Sequence, residues 1–269
     1  MSPVPLNIYK SVVATILLSL TMIVLDRPFI PDRDLNDWIL LALSGVVGIA
    51  LADCLFFVAL DRLGAGMVAI IECLYLPSVI ILSTVFLGES LGLGAIIGAL
   101  LVLSAILVGT IKRKRVHTLQ ERQKSSLFGV LVGCLAMILV AMGIVFIKET
   151  LETADVLWAT LIRVAAGTVS LIVITAFHTK RRQFLNELKF SKTWLYVLPA
   201  SISANYFALL CWIGGMKYSE TASQAAILNQ MSTVIIFILA AVFLGEKITA
   251  NRLLSIGIAV TGAMCTIFW

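Results

Sequence analysis

The sequence predicts an all-α polytopic membrane protein with nine transmembrane spans arranged as two inverted repeats. Of its 269 residues 60% are hydrophobic and only 13% charged, with a mean hydropathy of +1.05. That leaves too little polar surface for a water-soluble globule. The apolar residues fall into nine windows of about 20, the length that crosses roughly 30 Å of hydrocarbon. The phrase Val-Phe-Leu-Gly-Glu occurs twice, at Val85 to Glu89 and at Val242 to Glu246, so four blocks of the first half match four of the five in the second. An odd number of helices per repeat makes the copies face opposite ways.

The windows run over 7–25, 37–60, 64–87 and 91–111 in the first half, and over 127–147, 155–177, 193–214, 220–244 and 250–269 in the second. The first window lacks a basic leader and a small-residue cleavage site, so it reads as a retained span. Between the halves, Lys112 to Ser126 is charged and poor in apolar residues, which makes it the linker. The domains expected are therefore 1–111, a basic linker 112–126, and 127–269. A second basic loop, His178 to Lys192, carries Phe184, Leu185, Leu188 and Phe190 among its charges, a pattern open to a short amphipathic helix on the membrane surface or to a solvated loop.

Loop charge gives an orientation. Fifteen Lys and Arg residues fall on one side, four on the other (Arg27, Arg33, Lys148, Lys217), and Arg163 lies within a span. By the positive-inside rule the richer side faces the cytoplasm, with the N-terminus inside, the C-terminus outside and the cytoplasmic membrane as the location. The net charge of +5 is a loop property and gives no sign of nucleic-acid binding. All five cysteines sit in apolar windows without metal-ligand spacing. No metal or cofactor is expected.

A shift of 157 residues superposes Ala65 on Ala222, Ala69 on Ala226, Ile70 on Ile227 and the repeated phrase on itself, without a gap. A shift of 153 brings Lys10 onto Arg163. The second repeat then has one more helix at its front, 127–147, than the first.

These residues resemble the drug/metabolite transporter superfamily in its EamA-like branch of paired five-helix repeats. The run Gly48 to Leu60 is similar to the branch's Gly-Asp-x-x-x-Phe-x-Ala-Leu phrase, with Ala52 in place of glycine. Pro77 in the third window and both Leu-Gly-Glu phrases also match, and the likeness covers essentially the whole chain. It implies export or exchange of small metabolites or amino acids by alternating access. The usual plan has ten helices and both termini in the cytoplasm, so here the first helix is expected to be absent and the loop charges depart from the plan.

Charges within spans cost about 2.5–3.5 kcal/mol each on insertion scales, so they invite a functional reading. Asp53, Glu72 and Arg163 qualify. Asp53 and Glu72 flank the turn at Arg62 and would reach roughly 12 Å below one membrane surface, where they could share a proton or bind a cationic solute. The alternative is a structural pair for Asp53 and a merely buried, protonated Glu72. Tyr75 shares the face of Glu72. Asn229, at the repeat position of Glu72, with Gln230 beside it and Asn205 in the seventh window, offers hydrogen bonds to a solute or to neighbouring helices. Arg163 could attract an anion or snorkel to the interface, and its repeat partner Lys10 favours the interfacial reading. Pro77 is expected to bend its helix beside Glu72. Gly88 with Glu89, and Gly245 with Glu246, read as helix stops whose carboxylates favour the N-terminus of the next helix. Gly94 and Gly98 read as a close helix contact.

No zinc-protease, nucleophile-elbow or phosphate-loop motif occurs, and the only histidines, His117 and His178, lie in basic loops. The expectation is therefore not an enzyme but a secondary transporter of a small-molecule solute, with membrane lipid around it. Proton coupling, a homodimer and a partner subunit all stay open. A flippase for amphiphilic solutes and a non-transporting scaffold are the other readings.

Overall fold

The computed structural model describes residues 2–89, 93–111, 127–177, 181–188, 194–243 and 250–268. They form α1 (Pro3–Val24), α2 (Leu35–Leu63), α3 (Ala65–Leu87), α4 (Leu93–Ile111), α5 (Leu127–Val145), a short α6 (Lys148–Thr153), α7 (Val156–Phe177), a short α8 (Arg181–Glu187), α9 (Trp194–Tyr218), α10 (Ala222–Phe243) and α11 (Ala250–Phe268). No strand occurs among the described residues. Six of these helices, α1, α2, α3, α5, α7 and α9, are long and apolar enough to cross a membrane. The remaining three windows hold α4, α10 and α11, of 19, 22 and 19 residues. The linker 112–126, Gly245 and Glu246 lie outside the described residues, as does the side chain of Gln230.

Regular α-helix is interrupted at three places. α2 widens into a π-helical stretch over Val46–Ala52, and α9 does so over Ile202–Ala208. α3 breaks at Cys73 and Leu74, where the amides of those two residues turn back to the carbonyls of Ile70 and Ile71. Pro77 accounts for this break: it has no N–H to give the carbonyl four residues earlier, that of Cys73, and its ring crowds that carbonyl.

The chain forms two compact units. One is Met1–Cys54 with Met142–Tyr218, the other Leu55–Ala141 with Ser219–Trp269. Each draws on both halves of the sequence, and the divisions fall inside α2 and α5, away from the linker.

In the first unit α1 packs on α7, α7 on α2, and α1 on α9. Contacts fix the directions. Tyr9 meets Trp194 edge-to-face at 4.4 Å and Thr21 shares a 2.6 Å hydrogen bond with Tyr206, so α1 and α9 run parallel. Ile8 packs with Leu171 while Thr15 meets Thr168 at 3.3 Å, so α1 and α7 run antiparallel. α2 and α7 are parallel: Trp38 packs on Trp158, and farther along Ile49 lies against Gly167. At their crossing a Cβ on Gly45 would collide with the Arg163 carbonyl oxygen, and one on Gly167 would stand 3.0 Å from the Gly45 carbonyl oxygen. Small residues let the backbones touch, as apolar helices in lipid need in order to adhere.

Within 178–192, Arg181–Glu187 form α8, which packs within the first unit. Phe184 is buried, Leu188 joins the cluster of Ile8, Ala50 and Leu171, and Arg181 and Arg182 face outward. The Glu187 carboxylate accepts hydrogen bonds from the Ser2 amide (2.6 Å), the Ser2 hydroxyl (2.8 Å) and Gln183 (3.3 Å). α8 thus ties down the start of α1.

In the second unit α4 packs on α11, with a Gly262 Cβ position 2.8 Å from the Gly98 carbonyl oxygen. On α5, Gly133 lies against Ala59 and Ile71. Large apolar residues such as Ile23, Val85, Leu100 and Val242 stay exposed, the outward surface that a lipid-facing helix presents.

Because Gly45 meets backbone that cannot move aside, Gly45→Ala should lower the thermal midpoint of the detergent-purified protein, with an overpacking cost of about 1–3 kcal/mol. Gly257→Ala, which meets nothing within 4 Å, should leave the midpoint unchanged or slightly raised.

Candidate functional site

In the first unit the polar residues converge on α1 and the two π-helical stretches. Asn7 and Lys10 lie three residues apart on α1, hence on one face. Asn7, fully buried, donates from Nδ2 to the Ile49 carbonyl (2.8 Å) and to Cys54 Sγ (3.3 Å). Lys10 forms an ion pair with Asp53, the first residue after the π-helical stretch, with 13% and 26% of the two side chains exposed. Asp53 therefore has its counter-charge on α1, and Lys10 turns inward.

Arg163 is 2% exposed. Its guanidinium lies 5.6 Å from the centre of the Trp212 ring and 3.6 Å from a Cβ position at Gly48, so it packs inside this unit, against an aromatic face that attracts cations. Asn205 is buried within the second π-helical stretch, and its neighbour Tyr206 bonds to Thr21. Since the Thr21 hydroxyl already donates to the Leu17 carbonyl at 2.8 Å, the Tyr206 hydroxyl is the donor.

Glu72 and Tyr75 belong to the second unit, either side of the break in α3. Glu72 is the last residue before the break, half-buried, and its Oε2 is buried without a hydrogen-bond partner among the described residues. Tyr75 is buried on the far side. Asn229, on α10, is half-buried. Asp53 and Glu72 thus fall in different units.

Gly88 ends α3 in the left-handed conformation, φ 68°. The Glu89 carboxylate that follows serves another helix from the one expected. It accepts from the Ala222 amide (2.9 Å), the Ser223 hydroxyl (2.6 Å) and the Ser83 hydroxyl (2.9 Å), so it caps the N-terminus of α10, 133 residues along the chain. Three directed donors to one carboxylate make a strong helix cap.

Sequence reasoning missed two of these partnerships. Asn7 and Lys10 at helical spacing opposite Asp53 signalled the first. Thr-Ala-Ser at 221–223, opening the window that carries the repeat, signalled the second.

Long apolar helices that enclose paired and buried charges make this a polytopic helical membrane protein. The sequence matches the EamA-like transporter family over residues 1–110 and 127–268, and the chain belongs to that family. It is 23% identical over 251 residues to the uncharacterized transporter YvbV of Bacillus subtilis (strain 168), covering 93% of this chain and 78% of that protein. A protein crystal structure, 15% identical, superposes with a TM-score of 0.71, covering 100% of this chain and 89% of the other. At that identity the likeness speaks for the fold.

Two outcomes test these local assignments. Ser2 hydrogen bonds hold the Glu187 carboxyl below its usual 4.5, the backbone amide contributing most. The tie between α8 and α1 is thus fully present above pH 4.5 and is lost as pH falls through the lowered value. The protection factors of the amides in the first turn of α1, taken relative to the intrinsic exchange rate at each pH, should fall on acidification, and Glu187→Gln should flatten that pH response. Glu89→Ala should destabilise the protein by about 0.5–2 kcal/mol, the range for a lost helix cap, measured as a drop in thermal midpoint, with Glu89→Gln intermediate.

Proposed function

We propose that this protein is a secondary transporter that moves a small metabolite or amino-acid-like solute across the cytoplasmic membrane by alternating access, as an exporter or exchanger, with Glu72 carrying the coupling proton. The observation that carries this reading is the Glu72 carboxylate at the break of a membrane-spanning helix. Discontinuous helices are where secondary transporters place substrate and ion sites, and an intramembrane carboxylate is expensive to keep without a task.

Nine spans in two inverted repeats complete the proposal. It is supported by helices of 19 to 22 residues at the three windows outside the six apolar spans, and by the antiparallel course of α1 and α7, which the sequence pairs as repeat equivalents. α2 and α9, related in the same way, also run oppositely, since α9 follows α1 and α2 opposes α7's antiparallel partner. Tyr75 and Asn229 are assigned to the solute path with Glu72. Gln230 joins them by its place in the sequence. In the first unit, taken by itself, Arg163 and Asn205 are the polar groups assigned to transport, while Asp53 holds Lys10.

The test is uptake of radiolabelled amino acids into proteoliposomes under an imposed pH gradient. Wild-type flux should respond to the gradient, and Glu72→Gln should abolish that response while the protein stays monodisperse. Flux that keeps its pH dependence in Glu72→Gln would overturn the role of Glu72. Absence of wild-type flux for every solute, with a second protein co-purifying at fixed stoichiometry, would favour the scaffold reading.

A further inference from the structure

The two π-helical stretches of the first unit are of equal length, seven residues, and their first residues, Val46 and Ile202, are 156 apart. That separation is within one residue of the shift that superposes the repeated phrase, so they occupy corresponding places in the two halves. π-helical turns are uncommon, cluster at functional sites and are a recognised cause of helix bending. Each here is met by a polar side chain of the same helix. Asn7 holds the Ile49 carbonyl within the first stretch, and Thr21 holds the Tyr206 hydroxyl within the second.

Between Asn7 and Thr21 α1 is uninterrupted α-helix, which sets the two attachment points about 21 Å apart. Its run parallel to α9 and antiparallel to α7 keeps it in contact over that whole length. Near the first stretch, the Lys10–Asp53 ion pair adds a second attachment immediately after the widened turn. Along α9, Tyr9 and Trp194 meet edge-to-face twelve residues before Thr21 on α1 and twelve before Tyr206 on α9.

We infer that α1 is a strut coupling two repeat-related hinges, the π-helical stretches Val46–Ala52 of α2 and Ile202–Ala208 of α9, so that loosening either hinge loosens the other. The mechanical coupling is independent of what the protein carries. Its use, bending the two halves in concert as access alternates, rests on the transporter reading. A rod with an attachment at each end transmits a displacement, whereas two π-helical turns held by separate neighbours would relax separately.

The experiment is hydrogen–deuterium exchange of the full chain in lipid nanodiscs, followed in peptides covering 46–52 and 202–208, with peptides of α4 as the reference. Thr21→Val removes the hydrogen bond at the second hinge with little change of shape, and Tyr206→Phe removes the same bond from the other side. Each should speed exchange at 202–208 and also at the distant 46–52 by about fivefold to tenfold, the factor that one hydrogen bond's stabilisation gives, with α4 unchanged. Acceleration confined to 202–208, or none at either stretch, would overturn the coupling. No flux is measured, so a failed transport assay and a failed coupling are separate results.

Discussion

Within a bilayer no water stands ready to satisfy a charge or a backbone group, so the backbone is satisfied within each helix and a charged or amide side chain in a span calls for a partner on another helix. The contacts of α1 follow from that constraint. Asp53 on α2 is answered by Lys10, the Ile49 carbonyl receives the Asn7 amide, and Tyr206 on α9 donates to Thr21. The glycine crossing of α2 and α7 belongs with them, because backbones that touch at Gly45 and Gly167 bring the groups around Arg163 within reach of one another. Polar bonding sets which helices are neighbours, and small residues set how near they come.

The same constraint separates the two kinds of charge in the chain. Asp53, Glu89 and Glu187 have named donors around them and work as fasteners of α2, α10 and α8. Glu72 differs in that its buried Oε2 has no such donor among the described residues, and it stands where Pro77 has already broken the helix. A fastener improves with every added bond. Incomplete bonding is what the role proposed for Glu72 requires.

Much of the helical plan was legible in the sequence, because hydrophobic windows of spanning length are a strong and local signal. The boundaries moved where that signal is weak: α2 runs to Leu63 and α9 to Tyr218, past the apolar windows, since a helix continues into the interface as long as its backbone bonds do. The break after Glu72 was foreshadowed by Pro77. The π-helical stretches were not, for one extra residue per turn leaves composition and hydropathy untouched. Partners were the least legible feature. The sequence pairs Asp53 with Glu72 because both flank the turn at Arg62 at one depth, yet it is α1 that supplies its counter-charge, from Lys10, 43 residues earlier in the chain. The compact units, likewise, follow packing and cut across the repeats.

The cap that Glu89 places on α10 has a consequence for biogenesis. Its carboxylate is made early, at the end of the third window, while Ala222 and Ser223 are synthesised 133 residues later. At roughly 5–20 residues per second, the carboxylate waits on the order of ten seconds for its partners to leave the ribosome. During that interval α3 is inserted but its end is not yet fastened, so the second unit closes only after both halves of the chain have entered the membrane. Completion of the second unit accordingly comes late, since α10 brings the partners of Glu89 and α11, made after it, brings the face that packs on α4.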